Sequence, residues 1–242
     1  MEKELTLIEH LEELRRRIVV SAVLLLVVSA AAFPLTSKVL EILKSPSAGL
    51  IEKLVFFNPQ EAFLIHIKAS FFVGFIMSMP VILYQLWAFI SPAIDESARS
   101  YGLVFLASSI IAFVFGALFG FYLLVPTALR FLLSFAGESL EPVISVSSYI
   151  SFVIGLVIAS GAVFEMPVLS FLLSKIGIIN PRFLRKQWKY AVIIIFIIAA
   201  VITPTADIFN MMLLALPMVF LYELSIWVSF LAGHKKRRPN EP

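Results

Sequence analysis

Six uncharged, strongly apolar runs divide this chain and leave it few ways to fold. They cover residues 18–35, 69–94, 101–129, 142–164, 190–206 and 208–222. A helix needs about 20 apolar residues to cross roughly 30 Å of hydrocarbon. The first four runs meet or nearly meet that length, and the last two are short. The chain is 60% hydrophobic and 14% charged, with a mean hydropathy of +0.99. A soluble domain cannot hide that much apolar surface. The expected fold is all-α: a polytopic membrane protein with six transmembrane helices, of which spans 5 and 6 are short. One membrane domain fills residues 1–242. It comprises an amphipathic segment at 1–17, a six-span core at 18–232 and a basic tail at 233–242.

The charges orient this pattern. Six spans put both termini on one side, and 14 of the 19 Lys and Arg fall there, including Arg15, Arg16, Arg17, Arg99, Arg182, Arg185 and Lys186. Lys38, Lys44, Lys53, Lys68 and Arg130 fall on the other. The positive-inside rule then places both termini in the cytoplasm. Fusing the last two runs into one helix would split the basic set and move Lys235–Arg238 outside. The net charge of +3 does not point to nucleic acid, because the basic residues mark helix ends. There is no cysteine, which excludes disulfides and thiol chemistry. Ala30-Ala31-Ala32 resembles a signal-peptidase site, but the preceding segment is long and begins with several acids. Span 1 is read as retained.

The first 17 residues read as a short interfacial helix. Thr6 and Glu9 have capping-box spacing, and Leu7, Leu11, Leu14 and Ile18 recur at helical intervals. Glu9 and Glu13 are four apart, as are Glu13 and Arg17, so a solvated, salt-bridged face is the plain alternative to a binding site. The connector from Thr36 to about Ile67 carries Pro46, Gly49 and Pro59 among apolar residues, and is expected to form a short helix and turn. Spans 2, 4 and 6 each contain a proline: Pro80, Pro167 and Pro217. Proline kinks a helix, so three such spans suggest a concave wall. Spans 5 and 6 meet at Thr203-Pro204-Thr205. Lys189 to Thr203 makes only about 22 Å of helix, a mismatch relieved by local thinning of the bilayer.

Three acids fall within or beside the spans. Glu165 lies roughly 15 Å above the inner boundary. A carboxylate there is costly unless it is protonated, paired or facing a watered cavity. It reads either as a structural acid bonded to a neighbouring helix or as a polar docking point. Glu223, near the inner boundary, is expected to snorkel or pair with basic loop residues. Asp207 suits the N-terminus of span 6. There is no Walker A motif. Three scattered histidines, His10, His66 and His234, make no standard zinc site. No cofactor is expected, and enzyme activity is not.

Several short motifs, taken in order, resemble one family. They are His10-Leu11-Glu12-Glu13-Leu14-Arg15 before span 1, Pro46 in the first outside loop, and Pro80-Val81-Ile82-Leu83-Tyr84-Gln85-Leu86-Trp87-Ala88-Phe89 closing span 2. Phe164-Glu165-Met166-Pro167, Thr203-Pro204 with Asp207, and Ala215-Leu216-Pro217-Met218 follow. Over nearly its whole length the chain resembles TatC, the multispanning subunit of the twin-arginine protein translocase. The resemblance implies a cytoplasmic-membrane protein that receives folded precursors carrying twin-arginine signal peptides. It further implies association with TatA-type and TatB-type single-span subunits and with other copies of itself, and transport driven by the proton-motive force.

In that family acidic residues on the cytoplasmic face read the two arginines. Glu13 matches the first such site, with His10 and Arg15 at neighbouring positions and Phe89 near the peptide. The second site is usually a glutamate just before the basic residue of the first cytoplasmic loop. Here Ala98 precedes Arg99, and Glu96, with Asp95 beside it, is assigned the charge. Glu165 matches the family's intramembrane glutamate where partner helices dock, with Gln85 and Asp207 as further polar positions. Pro46, Pro80, Pro167, Pro204 and Pro217 are given structural roles. A small secondary transporter with Glu165 as its proton-coupling carboxylate is the rival reading.

Overall fold

The computed structural model describes residues 7–51, 53–91, 102–134, 143–175, 177, 179–203 and 207–232. Ten α-helices and one two-stranded ladder are found among them. Helix α1, Leu7–Ala32, runs without a break from the amphipathic segment into span 1. The sequence reading expected two elements there. From residue 7 to 32 there is no Gly or Pro to end a helix, so nothing separates them. Pro34 stops α1, and the chain tightens into a 3₁₀ turn over Phe33–Leu35. Helix α2, Thr36–Lys44, supplies the short helix expected in the connector. A second tight turn, Ser45–Ser47, holds Pro46, and the Ser47 carbonyl accepts from the backbone N–H groups of Leu50 at 2.9 Å and Ile51 at 3.0 Å. Gly49 sits between them with φ +77°, a left-handed backbone that a Cβ disfavours.

Helix α3, Pro59–Ile90, is 32 residues long and starts ten residues before the uncharged run at 69. Asn58 is extended and Pro59 opens the first turn, where a missing N–H costs nothing. The polar residues of this early part are engaged by neighbouring side chains. His66 Nδ1 lies 2.7 Å from Thr36 Oγ1. Lys68 Nζ donates to the hydroxyls of Ser147 and Ser151, both at 2.7 Å. Pro80 lies inside α3 and Pro217 inside the last helix, and neither ends its helix.

The third span is helix α4, Gly102–Phe119, a π turn over Gly120–Leu124, and α5, Val125–Ser134. The π turn falls just before Pro126, whose ring cannot continue the regular ladder. The fourth span is α6, Val146–Phe164, and α7, Met166–Lys175, divided at Glu165. Then come the six-residue α8, Pro181–Lys186, the fifth span α9, Trp188–Ile202, and the sixth span α10, Ile208–Ala232. Among the described residues, five helices are long and apolar enough to cross a membrane, and α9 is a shorter sixth. Span 5 is therefore short, as expected at 15 residues. Span 6 is not: α10 has 25 residues and runs straight through Glu223. The uncharged run ends there, but the carboxylate is paired with Arg185, so its charge does not terminate the helix.

The chain contacts group into two compact units. One comprises Met1–Ser45, Lys53–Ile110 and Val143–Ser151; the other comprises Pro46–Glu52, Ile111–Pro142 and Phe152–Pro242. In the first unit α1 packs along α3. Ser70 Oγ donates to the Ser29 carbonyl, and Gly74, one turn on, lets the two backbones approach. A Cβ on Gly74 would stand 2.8 Å from both the Cα and the N of Ser29. Small residues on one stripe allow such contact in lipid, where dispersion packing and hydrogen bonds replace the hydrophobic drive. A parallel ladder pairs β1, Leu54–Val55, with β2, Ile144–Ser145. Ser145 then caps α6, its Oγ accepting from the N–H groups of Ser147 and Ser148, while it donates to Glu61 at 2.8 Å.

In the second unit Gly116 and Gly120 of the third span face α6. A Cβ on Gly116 would lie 2.7 Å from the Ser160 carbonyl. The core of this unit gathers Leu124, Val163, Ile195, Leu214, Met218 and Leu221.

Gly74→Ala is expected to destabilise the protein by about 1–3 kcal/mol, because the new methyl meets not only the Ser29 hydroxyl, which can turn away, but also the Ser29 backbone, which cannot. Thermal unfolding in detergent measures it. Gly155→Ala, with nothing within 4 Å of its Cβ, is the control and is expected to be neutral or slightly stabilising.

Candidate functional site

The N-terminal turns of α1 meet the C-terminal turns of α3. His10, Glu13 and Arg17 are spaced i, i+3 and i+7, and so share one face of α1. Ile82, Gln85, Leu86 and Phe89 do the same on α3. The Arg17 guanidinium donates to Glu13 Oε1 from Nε at 3.0 Å and again from Nη2. Its Nη1 reaches across to Gln85 Oε1 at 3.1 Å. His10 stacks on Phe89 with ring centroids 4.4 Å apart and planes 19° from parallel. Beside this cluster a groove of about 350 Å³ runs between the helices, lined by Leu14, Ile18, Ala22, Ile82 and Leu86 with Arg17, Gln85 and Phe89 at its polar end.

Glu13 and Arg17 are each about one-quarter exposed, so the pair is partly desolvated yet reachable. Both Arg17 bonds go to Oε1. A carboxylate has about four acceptor sites, and Oε2 accepts from no described residue. The arrangement therefore presents an oriented carboxylate edge next to an aromatic face and an apolar groove.

Of the residues predicted to bind a peptide, the structure brings together Glu13, His10 and Phe89. Arg15 is exposed, away from the cluster. Glu96 and Arg99 lie outside the described residues, as do Asp95, Ala98 and Thr6. Gln85, grouped with Glu165 on the sequence, is bound to Arg17 in this cluster. Arg17, which the sequence reading pairs with Glu13 only as part of a solvated face, joins this cluster by bonding both Glu13 and Gln85.

Glu165 lies in the other unit and is buried, 5% exposed. Its position follows from Pro167, which lacks an N–H for the Val163 carbonyl. The helix breaks at Glu165, whose N–H turns back to Ala162 at 3.2 Å, and resumes when Leu169 N–H bonds the Glu165 carbonyl at 2.9 Å. The carboxylate is thus carried at a discontinuity within a span. Asp207 caps α10: Oδ1 accepts from Asn210 N–H at 2.7 Å and Oδ2 from the Asn210 side chain at 2.9 Å. Pro204 lies outside the described residues. Asp207→Ala is expected to cost about 1 kcal/mol through loss of the cap, read as a lower unfolding midpoint; Asp207→Asn should recover most of it.

Glu223 accepts from Arg185 Nη1 through both oxygens, at 3.1 and 3.3 Å, as expected for pairing with the basic loop. Among the described residues no group of three His, Cys, Asp or Glu is placed to hold a metal ion.

These features define a multispanning helical membrane protein whose polar side chains are set out at helix ends and at a break within a span. The family model for TatC, the Sec-independent protein translocase protein, matches residues 9–217. A TatC protein from Aquifex aeolicus is 43% identical over 236 residues, covering 96% of this chain and 97% of the relative. One from Carboxydothermus hydrogenoformans is 40% identical over 228 residues, covering 94% of each. A crystal structure of the twin-arginine translocase receptor TatC superposes with a TM-score of 0.84 at 41% identity, covering 93% of this chain and all of that one. The chain belongs to the TatC family. It is a multi-pass membrane component of the Sec-independent protein translocase, and not an enzyme.

Proposed function

We propose that this chain is the signal-peptide receptor and core subunit of the translocase, and that Glu13 is its main recognition residue. The observation that carries this reading is the Glu13–Arg17–Gln85 cluster beside an apolar groove. A guanidinium pairs with a carboxylate through two parallel N–H···O bonds, a fork that lysine does not reproduce. An incoming signal-peptide arginine takes the open Oε2 edge of Glu13. The apolar stretch that follows in such a peptide lies along Leu14, Ile18 and Ile82. Glu96 supplies the second carboxylate, and both termini face the cytoplasm.

Glu165 is the docking point for TatA-type and TatB-type helices. A buried carboxylate within a span is matched by a polar side chain from a partner. The proton-motive force drives passage of the folded cargo. The test is complementation. Cells lacking their own family member, given this chain and its single-span partners, are expected to export a folded reporter bearing a twin-arginine signal. Failure of export together with proton-coupled uptake of a small solute would establish the transporter reading instead.

A further inference from the structure

Helix α8 is fixed to α10 at two points, Arg185 to Glu223 and Tyr222 Oη to the Leu184 carbonyl at 2.8 Å. Neither contact closes the space beyond them. A groove of about 530 Å³ opens between the two helices, with Arg182, Arg185 and Lys186 on one wall and Ile226, Trp227 and Phe230 on the other. Trp227 is four residues past Glu223 and Phe230 seven, so the aromatic wall continues the Glu223 stripe for about 10 Å along α10. Both rings are more than half exposed. Three cations face one carboxylate, and the surplus positive charge sits at the rim of an apolar trough.

We propose that this groove binds one anionic phospholipid. Its phosphate lies against Arg182 and Lys186, and an acyl chain lies on Trp227 and Phe230. Basic pockets between helices near the membrane surface suit acidic headgroups, and tryptophan is at home at the headgroup level. The Arg185–Glu223 pair is the strut that holds the basic wall at the correct distance. Charge complementarity excludes a zwitterionic lipid as the preferred occupant, and the length of the apolar wall excludes a free phosphate.

The full chain, purified in mild detergent, would be titrated with phosphatidylglycerol, phosphatidylcholine or sn-glycerol 3-phosphate, and bound species counted by native mass spectrometry. Wild type is expected to retain phosphatidylglycerol about tenfold better than phosphatidylcholine and to retain no glycerol phosphate. Arg182→Gln/Lys186→Gln should abolish the preference. Trp227→Ala/Phe230→Ala should weaken retention of both lipids. Arg185 is left intact so that α8 stays docked. Lys38→Gln/Lys44→Gln removes the same charge from α2, in the other unit, and should change nothing. Equal loss in both charge variants, no lipid preference in wild type, or binding of glycerol phosphate as tight as lipid would each overturn the proposal.

Discussion

Export of a twin-arginine precursor is expected to fall at least tenfold when Glu13 becomes glutamine, with the protein still inserted at its normal level. A hydrogen bond to a charged group contributes about 1.5–3 kcal/mol, which is roughly tenfold to a hundredfold in affinity. Glutamine keeps the length and one acceptor of Glu13 but loses the charge and the two-oxygen edge. The helix itself tolerates the change, since glutamine is as good a helix former as glutamate. The Arg17–Glu13 pair loses its charge assistance, but the amide oxygen still accepts from Arg17, which also retains Gln85 as a partner at 3.1 Å. The position is also only partly buried. Loss of export with unchanged unfolding temperature therefore separates recognition from stability. Glu13→Asp, one methylene shorter, should fall between the two.

Glu165→Leu is expected to separate stability from function as well. A carboxylate buried in lipid carries a desolvation cost that leucine does not. The side chain is 5% exposed and follows a long uncharged run, so leucine fits the surroundings. The helix break is set by Pro167 and persists in the variant. The expected result is an unfolding midpoint equal to or above wild type, with recovery of the single-span partners by co-purification and export both reduced at least tenfold. Glu165→Gln keeps hydrogen bonding without charge and should retain part of the partner binding. Normal export by the leucine variant would remove the docking role.

Much of this architecture was readable because uncharged runs in lipid have one outcome, a helix, and their order sets the topology. What escaped reading were places where a polar group is neutralised by a residue distant in sequence. Glu223 marked the end of a run, yet Arg185 pairs with it and α10 continues to Ala232. Lys68 and His66 suggested a loop, but Ser147 and Thr36 take up their side chains and α3 begins at Pro59. Gln85 was placed with Glu165 because both are polar residues in spans; only the packing of α1 along α3 brings it to Arg17, 68 positions away. The Glu165 break, by contrast, was implicit in the local sequence, since Pro167 follows two residues later. The β1–β2 ladder joins residues about 90 apart through pairs of only two residues, too short to leave a period in the sequence.

The central claim is arginine-selective recognition at Glu13. It is tested most directly by titrating the protein in lipid nanodiscs with a twin-arginine signal peptide and its twin-lysine counterpart, for wild type and Glu13→Ala. The account predicts tighter binding of the arginine peptide to wild type, by about tenfold or more, and no difference between the peptides in the variant. Equal binding of both peptides to wild type, or selectivity that survives in Glu13→Ala, would contradict it.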